Sequence, residues 1–317
     1  MAEASQRFAI GSAEAREGAF VRQASRFRDW VTDDGAGGFA PEPGRYHLYV
    51  ARACPWAHRT IIARTLMGLE DAISISFVDP IRDARGWAFT APGTYEDPIN
   101  GFHFLAEAYL AAEPAFADRV TVPVLWDKQL GTIVNNESAD ILRMLTTVFA
   151  PLAKHPVELY PEAFAEQIDA LNAHIYESVN NGVYRAGFST RQSVYEGAVQ
   201  ELFAALDELD ARLAGTRFLF GPTPLETDWR LFTTLVRFDA VYQIHFKCSI
   251  RKIAEYRNLW PYLRDLYQTP RVADSVNFDH FVRGYNLNLP QLNQAGIIPI
   301  GPELDFWEPH GREGLGG

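Results

Sequence analysis

Cysteine is scarce in this chain, with only Cys54 and Cys248 among 317 residues. This excludes a disulfide framework, and the length is sufficient to bury a core without covalent staples. Long apolar runs are also missing: nowhere do about eighteen apolar residues follow one another, and the N-terminal segment carries charges throughout. The sequence therefore predicts neither a membrane span nor a secretion signal, and it favours a reducing, cytoplasmic setting.

Positive charge is in short supply as well. The 29 Lys and Arg residues stand against 40 Asp and Glu residues, which gives a net charge of -11. A soluble acidic protein of this kind is a poor partner for nucleic acid. Metal binding is not expected either, because His58 follows Cys54 by four residues but no further ligands cluster near them.

The first half of the chain alternates strand and helix signals. Residues 1–44 lack a sustained period and predict an extended arm. The elements predicted next are a strand at 45–50, a helix at 57–68, a strand at 73–78, an irregular stretch at 79–117 with one short helix, strands at 120–126 and 132–135, and a helix at 138–148. The order β-α-β followed by β-β-α indicates an α/β domain over residues 45–155.

The second half has helical spacing only. Apolar residues recur at intervals of three and four over 164–179, 193–213, 227–246 and 259–267. Prolines at 151, 156 and 161 mark the boundary between the halves, because proline interrupts a helix. We therefore predict an all-α domain at 156–275, and a C-terminal tail of loops at 276–317 packed on the body.

Cys54 stands between a predicted strand and a predicted helix, with Pro55 suited to the first helical position. Backbone N–H groups and the positive end of the helix dipole stabilise a thiolate there, and Arg52 and Arg59 add positive potential. The pattern predicts a nucleophile, with a buried structural cysteine as the alternative. Because Ala57 replaces the second cysteine of a dithiol pair, an external thiol must resolve any disulfide. Cys248 is interpreted as a packing residue.

Two further sequence features indicate a pocket for a small acidic ligand. The Val122-Pro123 bond is a candidate for cis geometry that turns the Val122 backbone toward a ligand, the alternative being a trans proline on an edge strand. Ser138 is predicted to cap the next helix, where a ligand carboxylate can dock, and Glu137 can accept an ammonium. Plain capping is the alternative for this pair.

Arg119 and Trp87 complete the candidate pocket. Arg119 is a candidate partner for a second ligand carboxylate, and Trp87 is a candidate stacking lid. For each residue the alternative is an ordinary one, a surface charge for Arg119 and a core aromatic for Trp87.

These residues, taken in order, resemble the cytosolic glutathione transferases and, more narrowly, their Xi class, the glutathionyl-hydroquinone reductases. The resemblance covers nearly the whole chain. The stretches that carry it are Phe27-Arg-Asp-Trp30, Arg45-Tyr-His-Leu-Tyr49, Cys54-Pro-Trp-Ala-His-Arg59, Val122-Pro-Val-Leu-Trp-Asp-Lys128, Asn136-Glu-Ser138, Val179-Asn-Asn-Gly-Val-Tyr-Arg-Ala-Gly187, the run from Asp228 to Asp239, and His245-Phe-Lys-Cys248.

The resemblance implies a thioredoxin-like N-terminal domain joined to an all-α C-terminal domain, and a homodimer. It implies glutathione as co-substrate, no metal, and reduction of glutathionyl-hydroquinones through a mixed disulfide of glutathione with Cys54. The implied glutathione-binding residues are Trp87, Arg119, Val122, Glu137 and Ser138. The implied tyrosine hydroxyls that approach the quinol ring are those of Tyr184 and Tyr285.

The chain departs from the family pattern at two places. The family's tail reads His-Tyr-Tyr where this chain has Gly284-Tyr285-Asn286, which predicts an altered aromatic wall and substrate range. A threonine that precedes the helix bearing Asp228 is replaced by Leu225, and we expect Thr223 with Glu226 to cap that helix instead.

Other functions compete with this one. A conjugating transferase would place a Ser or Tyr hydroxyl at the active turn, because a hydroxyl stabilises the glutathione thiolate whereas a cysteine forms a disulfide with it. A general thioltransferase would use Cys54 in the same way on other substrates. A non-catalytic binding protein is disfavoured, because the Cys-Pro, Val-Pro and Glu-Ser pairs are all intact.

Overall fold

The structure is a computed structural model that describes residues 15–316, which divide into two compact units. The first unit spans Gln23–Val157, and the second joins residues 15–22 to residues 158–316. Residues 1–14 of the predicted arm and residue 317 of the predicted tail lie outside the described residues. Within the arm, residues 15–22 therefore group with the helical half of the chain, and residues 23–44 group with the first half.

The described residues form the following regular elements. The strands are β1 (Ala15–Arg16), β2 (Ala19–Phe20), β3 (Tyr46–Val50), β4 (Ile73–Phe77), β5 (Val124–Asp127) and β6 (Thr132–Asn135). The helices are α1 (Pro55–Met67), α2 (Leu105–Ala112), α3 (Ser138–Thr146), α4 (Ala165–Ile175), α5 (Gly182–Gly187), α6 (Gln192–Arg212), α7 (Glu226–Arg237), α8 (Gln243–His245), α9 (Leu259–Gln268) and α10 (Phe278–Asn288).

A four-stranded mixed sheet in the order β4-β3-β5-β6 organises the first unit. Strand β3 pairs in parallel with β4 and antiparallel with β5, and β5 pairs antiparallel with β6. All five residues of β3 are buried, which explains why its sequence is uniformly aromatic and apolar except for His47. Helices α1 and α3 pack against each other, and α2 contacts β6.

The predicted elements of the first unit lie within a few residues of the observed ones. The largest shift is at the strand predicted over 120–126, which begins only at Val124. The physical reason is that Pro123 has no N–H to donate to a strand ladder. The predicted cis geometry is confirmed, because the Val122–Pro123 peptide bond is cis.

The second unit is helical apart from one small hairpin. Strands β1 and β2 pair antiparallel around Glu17 and Gly18, which both have positive φ, 52° and 88°. The hairpin contacts α5. The predicted all-α domain therefore includes a two-stranded addition from the N-terminal arm, for which the sequence predicts only an extended segment.

Two of the predicted long helices contain a π-helical turn. The helix predicted over 164–179 is α4 followed by a π turn at Tyr176–Asn180, and the helix predicted over 227–246 is α7 followed by a π turn at Phe238–Tyr242. Such turns often lie at functional sites because they redirect the side chains that follow. The first π turn precedes Tyr184, and the second contains Tyr242.

The prediction of a loop throughout the C-terminal tail is wrong, because the tail contains helix α10. The side chain of Asn277 caps it by accepting a hydrogen bond from the His280 amide at 2.9 Å. Apolar and aromatic residues at positions 278, 281, 285 and 289 give the helix one apolar side, but Gly284 and two asparagines obscured that period in the sequence.

The predicted cap of α7 is also wrong. Leu225 is the residue before the helix, and the Asp228 carboxylate accepts hydrogen bonds from the amides of Leu225 at 2.8 Å and Leu219 at 3.0 Å. Glu226 instead accepts a hydrogen bond from the Asn172 amide group at 3.0 Å. Burial raises the pKa of Asp228 to about 6, although these hydrogen bonds oppose the shift.

The predicted fold class is confirmed: a mixed α/β unit with a central sheet is followed by a unit built almost entirely of helices. Among residues 15–316, none of the helices has the length and apolar character needed to cross a lipid bilayer. Within the same range, no three or more His, Cys, Asp or Glu side chains are grouped for metal binding.

The buried imidazole of His47 makes folding sensitive to acid. Its Nδ1 lies 2.7 Å from Ser74 Oγ, and its Nε2 has no hydrogen-bond partner within the described part of the chain. Burial lowers the pKa of His47 to about 4. The unfolded chain takes up this proton near pH 6.5, so the stability contributed by the neutral ring is lost as the pH falls from about 6.5 to about 4.

We expect this one group to reduce the free energy of unfolding by about 2 kcal/mol between pH 7 and pH 5. Urea unfolding at both pH values should show that His47→Gln shrinks the difference by that amount. The matched control is His103→Gln, because the His103 side chain is exposed. An unchanged pH difference in His47→Gln would show that His47 does not carry the effect.

Candidate active site

Cys54 lies at the start of helix α1, as the sequence predicts. It is the residue before the helix, with extended backbone (φ -80°, ψ 121°), and Pro55 occupies the first helical position. Its side chain is partly exposed, and its carbonyl oxygen accepts the first helical hydrogen bond from the His58 amide at 3.0 Å. Cys54 therefore stands at the N-terminal end of the helix, which is the positive end of the helix dipole.

The cis Val122–Pro123 turn meets Cys54 directly. Cys54 Sγ lies 3.6 Å from the carbonyl oxygen of Val122, within reach of a weak S–H···O hydrogen bond. The Val122 side chain is buried in the hydrophobic core of the first unit, against which Cys54 packs. Two residues predicted from separate sequence features, 68 positions apart, are thus brought together.

Glu137 and Ser138 occupy the start of α3, but their capping roles are the reverse of the prediction. Glu137 is the capping residue, and its carboxylate accepts a hydrogen bond from the Ala139 amide at 3.2 Å. Ser138 is the first helical residue, so its hydroxyl is not the cap. The Glu137 carboxylate thus accepts a hydrogen bond from the second residue of the helix, which is the bond that a serine cap would otherwise make.

Ser25 is a neighbour of Glu137 that the sequence does not predict. Its hydroxyl donates a hydrogen bond to Glu137 Oε2 at 2.9 Å, so the N-terminal arm holds the carboxylate from the other side. The arm is fixed there because the Phe27 amide donates to Asn136 Oδ1 at 3.1 Å, and the Asn136 amide donates to the Phe27 carbonyl at 3.0 Å. The arm has no hydrophobic period from which its pairing with Asn136 and Glu137 could be predicted.

Arg59 links the helix that begins at Cys54 to the start of α3. Its guanidinium Nη1 lies 3.5 Å from Ser138 Oγ and its charged carbon lies 4.5 Å from the Trp56 ring centroid. Only 1% of its surface is exposed, so this is a buried positive charge within the unit that carries the thiol. From the sequence alone, Arg59 is predicted only to add positive potential near Cys54.

Trp87 and Arg119 lie in the irregular segments of the same unit. Trp87 is buried in the same hydrophobic core as Val122, and the Arg82 guanidinium carbon lies 4.3 Å from its ring centroid. Arg119 is partly exposed and lies three residues before Val122 in the segment between α2 and β5. Direct contacts therefore join Cys54 to Val122 and Arg59 to Ser138, and Arg119 lies in the segment that leads to Val122.

In the second unit, the two predicted tyrosines come into contact. The hydroxyl oxygens of Tyr184 in α5 and Tyr285 in α10 are 2.6 Å apart. Tyr242, at the end of the second π turn, places its hydroxyl 3.0 Å from that of Tyr285. Tyr242 was missed because it falls among the apolar positions of a predicted helix, where an aromatic residue indicates core packing. We call Tyr184, Tyr242 and Tyr285 the tyrosine cluster.

The electrostatic setting keeps the phenols of Tyr242 and Tyr285 protonated. Burial raises the pKa of Tyr242 and that of Tyr285 well above the ordinary value, and the positive charge of the buried Arg237 opposes both shifts. Each of the two hydroxyls can therefore donate a hydrogen bond at neutral pH. The hydrogen-bonded chain of three hydroxyls is a potential donor site for a ligand oxygen.

Phe246 forms the packing surface under the tyrosine cluster. Its ring centroid lies 5.3 Å from that of Tyr184, 5.4 Å from that of Tyr242 and 5.6 Å from that of Tyr285. A Cβ atom at Gly187 would lie 2.3 Å from the Phe246 ring, so a larger residue there would displace it. This explains the glycine that ends the Asn-Gly-Val-Tyr-Arg-Ala-Gly stretch.

Gly284 and Asn286, the two residues beside Tyr285 that differ from the family pattern, both fit the fold of the tail. Gly284 is buried, and Asn286, 4% exposed, donates a hydrogen bond from Nδ2 to the Val282 carbonyl at 2.9 Å. The backbone carbonyl of Asn286 accepts a hydrogen bond from Asn293 Nδ2, also at 2.9 Å. Asn286 thus secures the C-terminal end of α10 and the segment that follows it.

Two family models match the chain. The glutathione S-transferase N-terminal domain model matches residues 53–148, and the C-terminal domain model matches residues 192–265. Together they cover more than half of the sequence. The first includes Cys54, Val122, Glu137 and Ser138.

Several relatives match nearly the whole chain at high sequence identity. The chain is 50% identical over 304 residues to the glutathionyl-hydroquinone reductase YqjG of Escherichia coli strain K12, covering 93% of each protein. A Xi class glutathione transferase structure from Natrialba magadii superposes with a TM-score of 0.90 at 53% identity, covering 93% of this chain and 90% of that one. The glutathione-bound structure of YqjG gives 0.89 at 50% identity, covering 91% and 96%. This chain therefore belongs to the glutathione transferase family, in its Xi class of glutathionyl-hydroquinone reductases.

Proposed function

We propose that this protein reduces glutathionyl-hydroquinones to hydroquinones and consumes a second glutathione in doing so. The observation that carries the proposal is the position of Cys54 at the helix N-terminus beside the Val122 carbonyl. A cysteine at this place forms a disulfide with glutathione, whereas a conjugating enzyme needs to keep the glutathione thiolate free. Membership of the Xi class supports the same reaction.

The first step transfers the glutathionyl group to Cys54. With the substrate ring in its keto tautomer, the Cys54 thiolate attacks the glutathione sulfur and the carbon–sulfur bond breaks. The electron pair of that bond moves through the ring to the carbonyl oxygen, which becomes the oxygen of an aromatic hydroquinone anion. Cys54 is left as a mixed disulfide with glutathione, and the ring has gained two electrons.

The second step regenerates the enzyme. A glutathione thiolate attacks the glutathione sulfur of the mixed disulfide, so that oxidised glutathione leaves and the Cys54 thiolate is restored. Because Ala57 stands where a second cysteine would be, the chain itself offers no nearby resolving thiol in the helix. The hydroquinone anion takes up one proton on release.

Glutathione is held by groups of the first unit. The Glu137 carboxylate accepts the ammonium of the γ-glutamyl group, and Ser138, at the start of α3, donates to its carboxylate. The Val122 backbone pairs with the peptide of glutathione, Arg119 pairs with its second carboxylate, and Trp87 lies against the tripeptide. These five roles follow the family pattern residue by residue.

The hydroquinone ring is held by the second unit. Tyr184 and Tyr285 donate hydrogen bonds to the ring oxygen on which negative charge develops in the first step. Each phenol carries one proton, so on substrate binding the hydrogen bond between the two hydroxyls is exchanged for hydrogen bonds to the ring oxygen. A thioether on a ring without such an oxygen should not react, because the electron pair would have no acceptor.

We also propose the setting in which this reaction takes place. Residues 45–155 form the glutathione-binding domain and residues 156–275 form the substrate domain, with residues 1–44 as the N-terminal arm and residues 276–317 as the C-terminal tail. The protein works as a homodimer in the cytoplasm, where reduced glutathione is available. Both cysteines are free thiols, which suits that compartment.

The mixed disulfide gives a direct test of the proposal. Reduced protein mixed with glutathionyl-hydroquinone, without free glutathione, should release one hydroquinone and gain one glutathionyl group on Cys54, as measured by intact and peptide mass spectrometry. Cys248 is an internal control: it is fully buried, and burial raises the pKa of its thiol. No adduct, or an adduct at Cys248 alone, would contradict the mechanism.

A further inference from the structure

Arg22, from the N-terminal arm, lies over one member of the tyrosine cluster. Its guanidinium carbon is 4.8 Å from the centroid of the Tyr184 ring, within the range of a cation–π interaction. Its Nε donates a hydrogen bond to Asn181 Oδ1 at 2.9 Å, which fixes the orientation of the guanidinium. Asn181 precedes α5, the helix that carries Tyr184, so the cation and the ring are held by the same short segment.

The hairpin before Arg22 is anchored to the same surface. The Phe20 ring stacks on those of Tyr184 and Phe188, with centroids 6.2 Å and 5.3 Å apart. The Thr190 amide donates to the Gly18 carbonyl at 3.1 Å. A Cβ at Gly18 would lie 2.5 Å from the Arg191 side chain, so the turn fits closely. The position of Arg22 is therefore determined by packing on both sides.

The charged and titratable groups around Tyr184 have distinct places. Tyr285 is hydrogen-bonded to it, and Tyr242 lies beyond Tyr285. The buried Arg237 acts electrostatically on those two phenols. On the outer side of α5, Arg185 pairs with Glu201 at 2.7 Å, where both are substantially exposed. Arg22 thus adds a positive charge at the ring face of Tyr184, whereas Arg237 acts on the other two phenols of the cluster.

We propose that Arg22 is a positioning residue for hydroquinone reduction, acting through Tyr184. A cation over the face of a phenol withdraws electron density from the ring, which makes the hydroxyl a stronger hydrogen-bond donor. The inference rests on the proposed function, in which Tyr184 donates to the ring oxygen as negative charge develops there. Arg22 then stabilises that charge without touching the substrate.

This role predicts a dependence on the substrate that simple packing would not give. Hydroquinones with electron-donating substituents stabilise their own anion poorly, so their reduction depends most on the hydrogen bond that Tyr184 donates. Electron-poor hydroquinones, such as chlorinated ones, carry the charge themselves and rely on it less. Arg22 therefore broadens the range of the enzyme toward electron-rich hydroquinones.

The experiment compares Arg22→Gln, Arg22→Lys and the control Arg185→Gln. Each is assayed on the glutathionyl conjugates of methylhydroquinone and chlorohydroquinone, with excess glutathione. We expect Arg22→Gln to lower kcat about tenfold on the methyl substrate and about threefold or less on the chloro substrate, with the KM for glutathione unchanged. Arg22→Lys, which keeps the charge, should restore most of the activity, and Arg185→Gln should behave as wild type.

Three results would overturn the inference. They are equal losses on both substrates, a failure of Arg22→Lys to recover more activity than Arg22→Gln, and full activity of Arg22→Gln. Thermal unfolding of each variant shows whether it remains folded. If Arg22→Gln does not fold, Arg22→Lys still tests whether the positive charge is sufficient. Failure of the proposed function is distinguishable, because then the wild-type protein itself would not turn over either conjugate.

Discussion

Replacement of Cys54 by alanine is expected to reduce glutathionyl-hydroquinone turnover by at least about a thousandfold, because the reaction then lacks the nucleophile that accepts the glutathionyl group. The release of hydroquinone, followed by liquid chromatography, measures the loss. Cys54 makes no side-chain hydrogen bond to the helix it precedes, so alanine should leave the start of α1 intact. Thermal unfolding and glutathione binding check that the variant remains folded.

The matched control is Cys248→Ala. Cys248 is buried, and its Sγ lies 3.8 Å from the Phe246 carbonyl oxygen, so its removal affects packing rather than chemistry. This variant should keep turnover within about twofold of wild type while it unfolds at a lower temperature. Substantial turnover by Cys54→Ala would mean that the cysteine is not the nucleophile and that the thiol of glutathione attacks directly.

Cys54→Ser separates the proposed reaction from conjugation. A hydroxyl at this position stabilises the thiolate of bound glutathione and cannot form a disulfide with it. The serine variant is therefore expected to lose hydroquinone reduction as fully as the alanine variant. Unchanged reduction in the serine variant would contradict the mixed-disulfide mechanism.

The second large effect is expected at Tyr285. Its hydroxyl lies between those of Tyr184 and Tyr242, at 2.6 Å and 3.0 Å, so Tyr285→Phe removes one donor and also disconnects the other two. Loss of a donor to a developing oxyanion costs about two to three orders of magnitude in rate. We expect kcat for glutathionyl-hydroquinone to fall about a hundredfold, measured by steady-state kinetics with saturating glutathione.

A second substrate shows whether Tyr285 acts on the ring oxygen. Exchange of glutathione with a small aliphatic disulfide uses Cys54 but develops no charge on a ring, so Tyr285→Phe should leave that rate within about twofold of wild type. Tyr195→Phe is the control, because the Tyr195 hydroxyl donates to the Lys247 carbonyl at 2.7 Å outside the tyrosine cluster. An equal loss of both reactions in Tyr285→Phe would point to a defect in Cys54 rather than in oxyanion stabilisation.

The features that local sequence determines were the predictable ones. The Cys54-Pro55 pair followed by a helical run indicates a helix start, because within a helix proline fits only the first turn, and the helix does begin at Pro55. The Val122-Pro123 pair indicated a cis bond for similar reasons, since X-Pro is the usual place for one. The four strands of the sheet were predicted from short apolar and aromatic segments, the first two on either side of a helix and the last two joined by a turn.

Features that depend on distant contacts were not predictable from local patterns. Ser25 pairs with Glu137 across 112 positions, and Tyr242 differs from a core aromatic only through its neighbour Tyr285. Arg22 lies in an arm without periodicity, so its place over Tyr184 is visible only once the hairpin is folded. The helix in the tail was hidden because Gly284 and Asn286 interrupt an otherwise apolar side.

The ratio of the two products formed at Cys54 tests the central claim most directly. Purified wild-type protein, incubated with glutathionyl-hydroquinone and excess glutathione, should release hydroquinone and oxidised glutathione in equal amounts, and Cys54→Ala should release neither above background. The equality follows from the two-step exchange, in which each hydroquinone leaves one glutathionyl group on Cys54. Formation of glutathione conjugates instead, or hydroquinone release without oxidised glutathione, would contradict the account.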